Sequence, residues 1–437
     1  MLLAPALLFL TAALLFARRY DRAMRTATAA SAKVISTPLR QDAGVVAMVG
    51  LGHMISHFSQ LLLAPLFPWL KQAFNASYTE LGFLMTLFFV VSCSVQAASG
   101  FLVDRLGPRP ILFGGLALLG LAAFGFALSP TYGAMACSSV VAGIGNGVFH
   151  PVDYTLLNRK VSAPRLGHAY SFHGITGSLG WALAPALLVP LTIAFSWRVA
   201  LAAAGGLAFA VLVVLWFNRD TLALPATVPA RSTAPRAGGN FGFLHIPSVW
   251  MCFGFFFFYA LVLSVIQAFA PEAARQLHGV PVALAALCLT VYMVCSAGGM
   301  VLGGFLAADS SRCERVVATG FGIAALIALA IGFAPVPALA VPALFGAMGF
   351  ASGIAAPSRD LLVKRSSPEN ATGRVYGVVY SGLDIGQAVS PLIFGSLMDR
   401  HQYQGVWLGL VLLQAILILS AFNVTRVRRT VLTPAAG

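Results

Sequence analysis

The chain has 437 residues, is 59% hydrophobic and 9% charged, and has a mean hydropathy of +0.87. A soluble domain of this length carries about a quarter of charged residues, so that class is excluded, and the long apolar runs point to membrane helices rather than a barrel. The net charge of +14 is no nucleic-acid footprint, because the bases lie in short segments between the apolar runs.

Residues 1–17 are apolar and are followed by Arg18, Arg19, Arg22 and Arg25. This N-terminal segment reads as a short extra helix or an extended start. A secretory leader fits less well, since the stretch has no basic n-region and no small-residue cleavage site. From residue 44 the pattern predicts twelve spans of about 19–29 residues, the length a tilted helix needs to cross a bilayer. They cover 44–70, 79–103, 110–128, 132–157, 167–195, 197–217, 248–270, 282–307, 315–333, 337–362, 373–398 and 404–424. Residues 1–43 form a basic N-terminal region, 44–217 and 248–424 two six-helix bundles, and 425–437 a tail. The stretch 218–247, rich in Pro, Ala, Thr and Arg, is expected to be a flexible linker between the halves.

Charge sets the expected orientation. With the N-terminus inside, only Lys71, Arg198, Arg275 and Arg400 of the 27 bases fall outside. An internal repeat supports two like halves. A shift of 206 residues carries Gly147 onto Gly353, Pro151 onto Pro357, Gly180 onto Gly386 and Pro185 onto Pro391.

In chain order, the first chemistry is in span one. His53 and His57 are four apart and share a helical face. They read either as neutral histidines bonded to backbone or to each other, or as a substrate or proton site. The spacing also suits a metal, but no third ligand is evident, and no metal site or cofactor is expected. None of the six cysteines makes a Cys-x-x-Cys pair.

Between spans two and three runs Gly100-Phe-Leu-Val-Asp104-Arg105-Leu-Gly107-Pro108-Arg109-Pro110. Gly100 is expected to let two helices approach closely, and Gly107 and Pro108 to force a turn. The stretch resembles the loop signature of the major facilitator superfamily, matching at Gly100, Asp104, Arg105, Gly107 and Arg109 and departing at Pro108. The resemblance implies two parallel six-helix bundles around a central cavity lined by the first span, and alternating access between them. It also implies that these loop residues help hold an inner gate, with Asp104 against the N-terminus of span eleven.

Span four ends Gly143-Ile-Gly-Asn-Gly147-Val-Phe-His150-Pro151-Val-Asp153. Pro151 frees a carbonyl and can kink the helix, and His150 and Asp153 share a face. By the repeat, Asp153 stands opposite Arg359, and the two are expected either to close a cytoplasmic gate or to pair each within its own half. Span five carries His173 beside Gly174, Gly177 and Gly180, a smooth stripe for a partner helix. Phe255 to Tyr259 in span seven are expected either to face lipid, the favoured reading, or to line an amphipathic cavity. In span eleven Asp384 lies near mid-membrane, with Tyr380 and Gln387 on the same face. A carboxylate there is either protonated or paired, and it is expected to couple protons or to bond a neighbouring helix.

A narrower similarity, to bacterial fosmidomycin-resistance-type permeases, rests on His57-Phe58, on Gly143 to Pro151 and on the glycine-rich fifth span. Members of that group are thought to export small drugs against a proton gradient. The fourth-span Arg of many proton antiporters is Ser139 here, which throws weight on Asp384 and the histidines. The resemblance implies a monomer in the bacterial inner membrane whose partners are a small-molecule substrate, protons and the bilayer, with no nucleic acid. Proton-driven efflux is the first reading. Proton-symport uptake of an organic anion is the second, and a non-transporting sensor the third. No nucleophile elbow or phosphate loop points to an enzyme. If Asp153 and Arg359 form the gate, exchanging their charges in a double mutant restores transport that each single mutant loses, as flux in vesicles would report.

Overall fold

The computed structural model describes residues 38–224, 247–307, 312–366 and 373–432, and the side chains of these except 104, 163, 248, 360–377 and 422–432. The N-terminal apolar segment, most of the linker and the carboxylate of Asp104 lie outside the described residues.

The described chain is helical. The first half contains α1 (Leu39–Gln60), a short α2 (Phe67–Phe74), α3 (Tyr78–Leu106), α4 (Pro108–Leu128), α5 (Tyr132–Asn146), α6 (Phe149–Lys160), α7 (Leu166–Ala194) and α8 (Trp197–Phe217). The second contains α9 (Pro247–Ala268), a short α10 (Ala270–His278), α11 (Val282–Leu306), α12 (Cys313–Phe333), α13 (Val341–Ser366), α14 (Gly373–Asp399) and α15 (Tyr403–Leu432). By length and composition eleven membrane spans qualify among the described residues. The remaining expected span, α14, has 27 residues, enough to cross, but Ser381, Asp384, Gln387 and Ser390 make it more polar than its neighbours.

Span four is the α5–α6 pair, interrupted at Gly147 and Val148. Proline has no N–H for the carbonyl four residues back, and its ring crowds that carbonyl. For Pro151 that carbonyl belongs to Gly147, and it accepts the Ser99 hydroxyl at 3.3 Å instead. The expected irregularity is thus a two-residue turn between α5 and α6. The first span begins at Leu39, earlier than expected, and the chain beyond it and beyond span seven carries the short helices α2 and α10.

The two halves pack alike. In the first, α1 lies on α7, α3 on α5, and α4 on α8; in the second, α9 lies on α14, α11 on α13, and α12 on α15. The repeat glycines sit at these contacts. A Cβ on Gly147 would strike the Ser92 carbonyl, and one on Gly353 the Ser296 carbonyl. Likewise Gly180 abuts the Met54 carbonyl and Gly386 the Phe257 carbonyl. Two expectations need correction. Gly100 and Gly174 have nothing within 4 Å of a Cβ, so neither mediates a close helix approach here. Phe255 and Phe256 are buried against Phe321 and Val379 rather than facing lipid.

The halves meet along α3–α14 and α7–α11. At one end a single buried cluster runs through both halves, from Phe58–Leu70 to Val262–Ala274. There Asp399, at the end of α14, caps α3 from the other half. It accepts the backbone N–H groups of Tyr78 at 2.7 Å and Thr79 at 2.9 Å and the Thr79 hydroxyl at 2.6 Å. An anion at a helix N-terminus satisfies otherwise unpaired donors and faces the positive end of the dipole. Tyr78 also donates its hydroxyl to Glu272 at 3.1 Å. At the opposite end the described core divides into one cluster within the first half and another within the second. The loop motif lies there, with Gly107 at φ +81° ending α3, Pro108 opening α4, and Arg105 exposed.

Two outcomes follow from this packing. Gly180→Ala overpacks α7 against α1 and lowers stability by about 1–3 kcal/mol, while Gly174→Ala is neutral; thermal unfolding of purified protein compares them. Asp399→Ala opens the latched end. A charge-assisted hydrogen bond contributes about 1.5–3 kcal/mol, so losing even one shifts the opening equilibrium about tenfold or more. A single cysteine at Ala268, buried at that end, then labels faster with a maleimide.

Candidate functional site

Four histidines that are up to 120 positions apart in sequence converge in the first half. α1 supplies His53 and His57, α6 supplies His150, and α7 supplies His173. The rings of His53 and His173 stack with centroids 3.5 Å apart; His53 is 4.3 Å from His57 and 5.6 Å from His150. Asp153 lies at their centre with no solvent exposure. Its Oδ2 accepts from His53 Nδ1 at 3.0 Å and from His173 Nε2 at 3.1 Å. A carboxylate away from water is stable only when it is bonded, and these two imidazoles meet that need at Oδ2 from two other helices. His150 and Asp153 both lie just after the α5–α6 interruption, in the first turns of α6.

The cluster is wired to the second half. His150 Nδ1 lies 3.0 Å from Gln96 Oε1, and Gln96 Nε2 donates to Asp384 Oδ2 at 3.2 Å. With Asp384 ionised it only accepts, so the Gln96 amide must turn its oxygen to His150. One glutamine on α3 thus joins titratable groups of both halves. A second polar layer lies alongside: Ser56 donates to Asn146 at 2.7 Å, Asn146 to Ser92 at 2.9 Å, and Trp181 to Gln60 at 3.0 Å, with the Trp181 ring 4.3 Å from His57.

Asp384 points at the other half and not into lipid. On the same helix Tyr380 stacks on Phe256 at 5.0 Å, and Gln387 donates to Gln267 at 3.2 Å. Asp153 and Arg359 have partners within their own halves here. The Arg359 guanidinium lies 4.0 Å over the Tyr259 ring, and Arg359 is 8% exposed. Next to it a cavity opens between the halves, walled by Ser178 and Trp181 on one side and Tyr259, Tyr292, Ser296 and Ser352 on the other. Gly100, Arg105, Gly107 and Arg109 lie at the unlatched end, away from the cluster.

Sequence reasoning passed over Gln96, Asn146, Trp181, Tyr292 and Ser352. The signal for the amides was present, since Gln and Asn within apolar spans are costly and so tend to bond across helices.

The family model described as Major Facilitator Superfamily matches residues 49–345 and 252–437. The fosmidomycin resistance protein of Escherichia coli (strain K12) is 27% identical over 166 residues, which is 36% of this chain and 39% of that protein. The multidrug resistance protein B homolog of Mycobacterium tuberculosis (strain ATCC 25618 / H37Rv) is 26% identical over 212 residues, 48% of this chain and 37% of that protein. The chain therefore matches well under half the length of these curated relatives. Among solved structures, a bacterial homologue of the human lysosomal transporter Spinster, inward-facing and unoccupied, aligns with a TM-score of 0.72 at 16% identity, over 89% of this chain and 98% of that one. With twin bundles, a polar core buried between apolar helices and a family match across both halves, the chain belongs to the major facilitator superfamily.

Proposed function

We propose that the protein is a secondary active transporter that exports small organic, drug-like molecules in exchange for protons. The observation that carries this reading is the hydrogen-bonded chain Asp384–Gln96–His150, which links a mid-membrane carboxylate of one half to the histidine cluster of the other. Protonating Asp384 removes the charge that holds the Gln96 amide, which weakens the tie between α3 and α14 and favours rearrangement of the halves. The side chains that wall the narrow cavity beside Trp181 suit the substrate class, once the halves part to widen it. Its walls are aromatic and aliphatic with a few hydroxyls, the make-up of sites for amphipathic organic molecules. The charge bias of the loops makes the unlatched end cytoplasmic, so the structure corresponds to an inward-facing state in this reading. Asp153 and Arg359 then belong to the gate of the opposite, outward-facing state, and the protein works as a monomer in the bacterial inner membrane.

One observation favours a second reading, uptake of an organic anion with protons: the guanidinium of Arg359 sits over Tyr259, which lines that cavity. Arg359→Gln then abolishes anion uptake and spares export of neutral compounds. Counterflow in proteoliposomes under an imposed pH gradient separates the two directions.

For the coupling role, Asp384→Asn lowers gradient-driven flux by at least about tenfold and removes its pH dependence, while substrate still binds. Gln96→Ala uncouples flux from the gradient by the same route. Unchanged flux and pH profile in Asp384→Asn would refute the assignment.

A further inference from the structure

We propose that His53, His57 and His150 form a binding site for a borderline divalent cation, of the Zn²⁺, Co²⁺ or Ni²⁺ class, held entirely within the first half.

Convergence comes first. One ligand atom from each of the three imidazoles lies within 4.8 Å of the others. A tetrahedral zinc with bonds of about 2.0–2.1 Å separates its nitrogens by roughly 3.4 Å, so ring rotations bring three of the four positions within reach and leave the fourth to a solvent ligand.

Protonation state comes next. His53 Nδ1 is held by the Asp153 carboxylate and His150 Nδ1 by the Gln96 carbonyl oxygen. Both partners accept, so the protons sit on Nδ1 and each Nε2 keeps its lone pair. This is how carboxylates and amides orient metal-binding histidines from behind. The third ring, His57, has a buried Nδ1 with no hydrogen-bond partner, and Asp153 has its Oδ1 in the same condition. Such orphaned polar atoms are costly, and a cation among them relieves both, one by ligation and the other by charge.

Rigidity agrees. Gly177 of α7 faces the pair: a Cβ there would lie 3.1 Å from His53 Nε2 and 2.8 Å from His57 Nδ1. The missing side chain lets both rings pack directly against the α7 backbone, which holds the two nitrogens side by side. The His53 ring is backed by His173 and the His57 ring by Trp181. Three neutral nitrogens without thiolate or multiple oxygens select an imidazole-binding metal over Mg²⁺ or Ca²⁺. A second grouping, His53, Asp153 and His173, is already closed by its own hydrogen bonds and is assigned to the supporting shell.

The test is Co²⁺ titration of the full-length protein in detergent, read by visible d–d absorption and by calorimetry, with Zn²⁺ as competitor. Wild type is expected to take up one equivalent saturably, with the absorption of a tetrahedral nitrogen-rich site. His57→Asn and His150→Asn are expected to weaken binding at least a hundredfold and abolish the band. Asp153→Asn, which acts through His53, weakens it about 10–100-fold while the band persists at high Co²⁺. His401→Ala, at an exposed loop, changes nothing. Size-exclusion profiles and melting of each variant without metal identify folding defects. A His57→Gln variant replaces any that fails, because His57 is only half-buried. Absence of saturable Co²⁺ or Zn²⁺ uptake by wild type overturns the proposal. So does loss of binding in His173→Asn with full retention in His57→Asn, which would move the site to the other grouping.

Discussion

A carboxylate cut off from water inside a membrane has to be given donors, and Asp153 obtains both of its donors from other helices. That single requirement ties α1, α6 and α7 together at the centre of the first half. It determines which edge of His53 and of His173 faces inward. It also orients the remaining edge of His53 towards His57 and Gly177.

The two halves share a scaffold and differ in chemistry. Glycines at equivalent positions bring equivalent helices to backbone contact in both. On that common frame the first half carries histidines around an acid, while the second carries aromatic rings around Arg359 and one acid, Asp384, that reaches across to Gln96. Backbone contacts made by glycine depend little on the neighbouring side chains, which lets the polar positions diverge while the packing persists. The halves are held mainly at one end, where Asp399 serves as a helix cap supplied from outside the helix it caps. A contact of that kind is released without dismantling either half, a property suited to a rocking mechanism.

Much of the fold was legible from residue patterns. Apolar runs of the right length located the spans, and the 206-residue offset revealed the twin design, because both depend on local composition and spacing. The ionisable residues of the site were legible one at a time: an acid or histidine inside a span is costly and so attracts notice. Gln96 and Asn146 drew none because they carry no charge, although an amide inside a span also needs a partner. The rings at Phe255 and Phe256 were misread because an aromatic run looks the same whether it meets lipid or protein.

The sequence by itself determined how many helices cross, roughly where they begin and end, which way the charge bias runs, and which buried groups must find partners. Only the tertiary structure decided who those partners are: Asp153 with His53 and His173, Asp384 with Gln96, Asp399 with the start of α3. The reason is physical. Helix formation and membrane insertion are read from neighbours along the chain, whereas a hydrogen bond between spans depends on the rotation and depth of each helix, which close glycine contacts far apart in sequence set together.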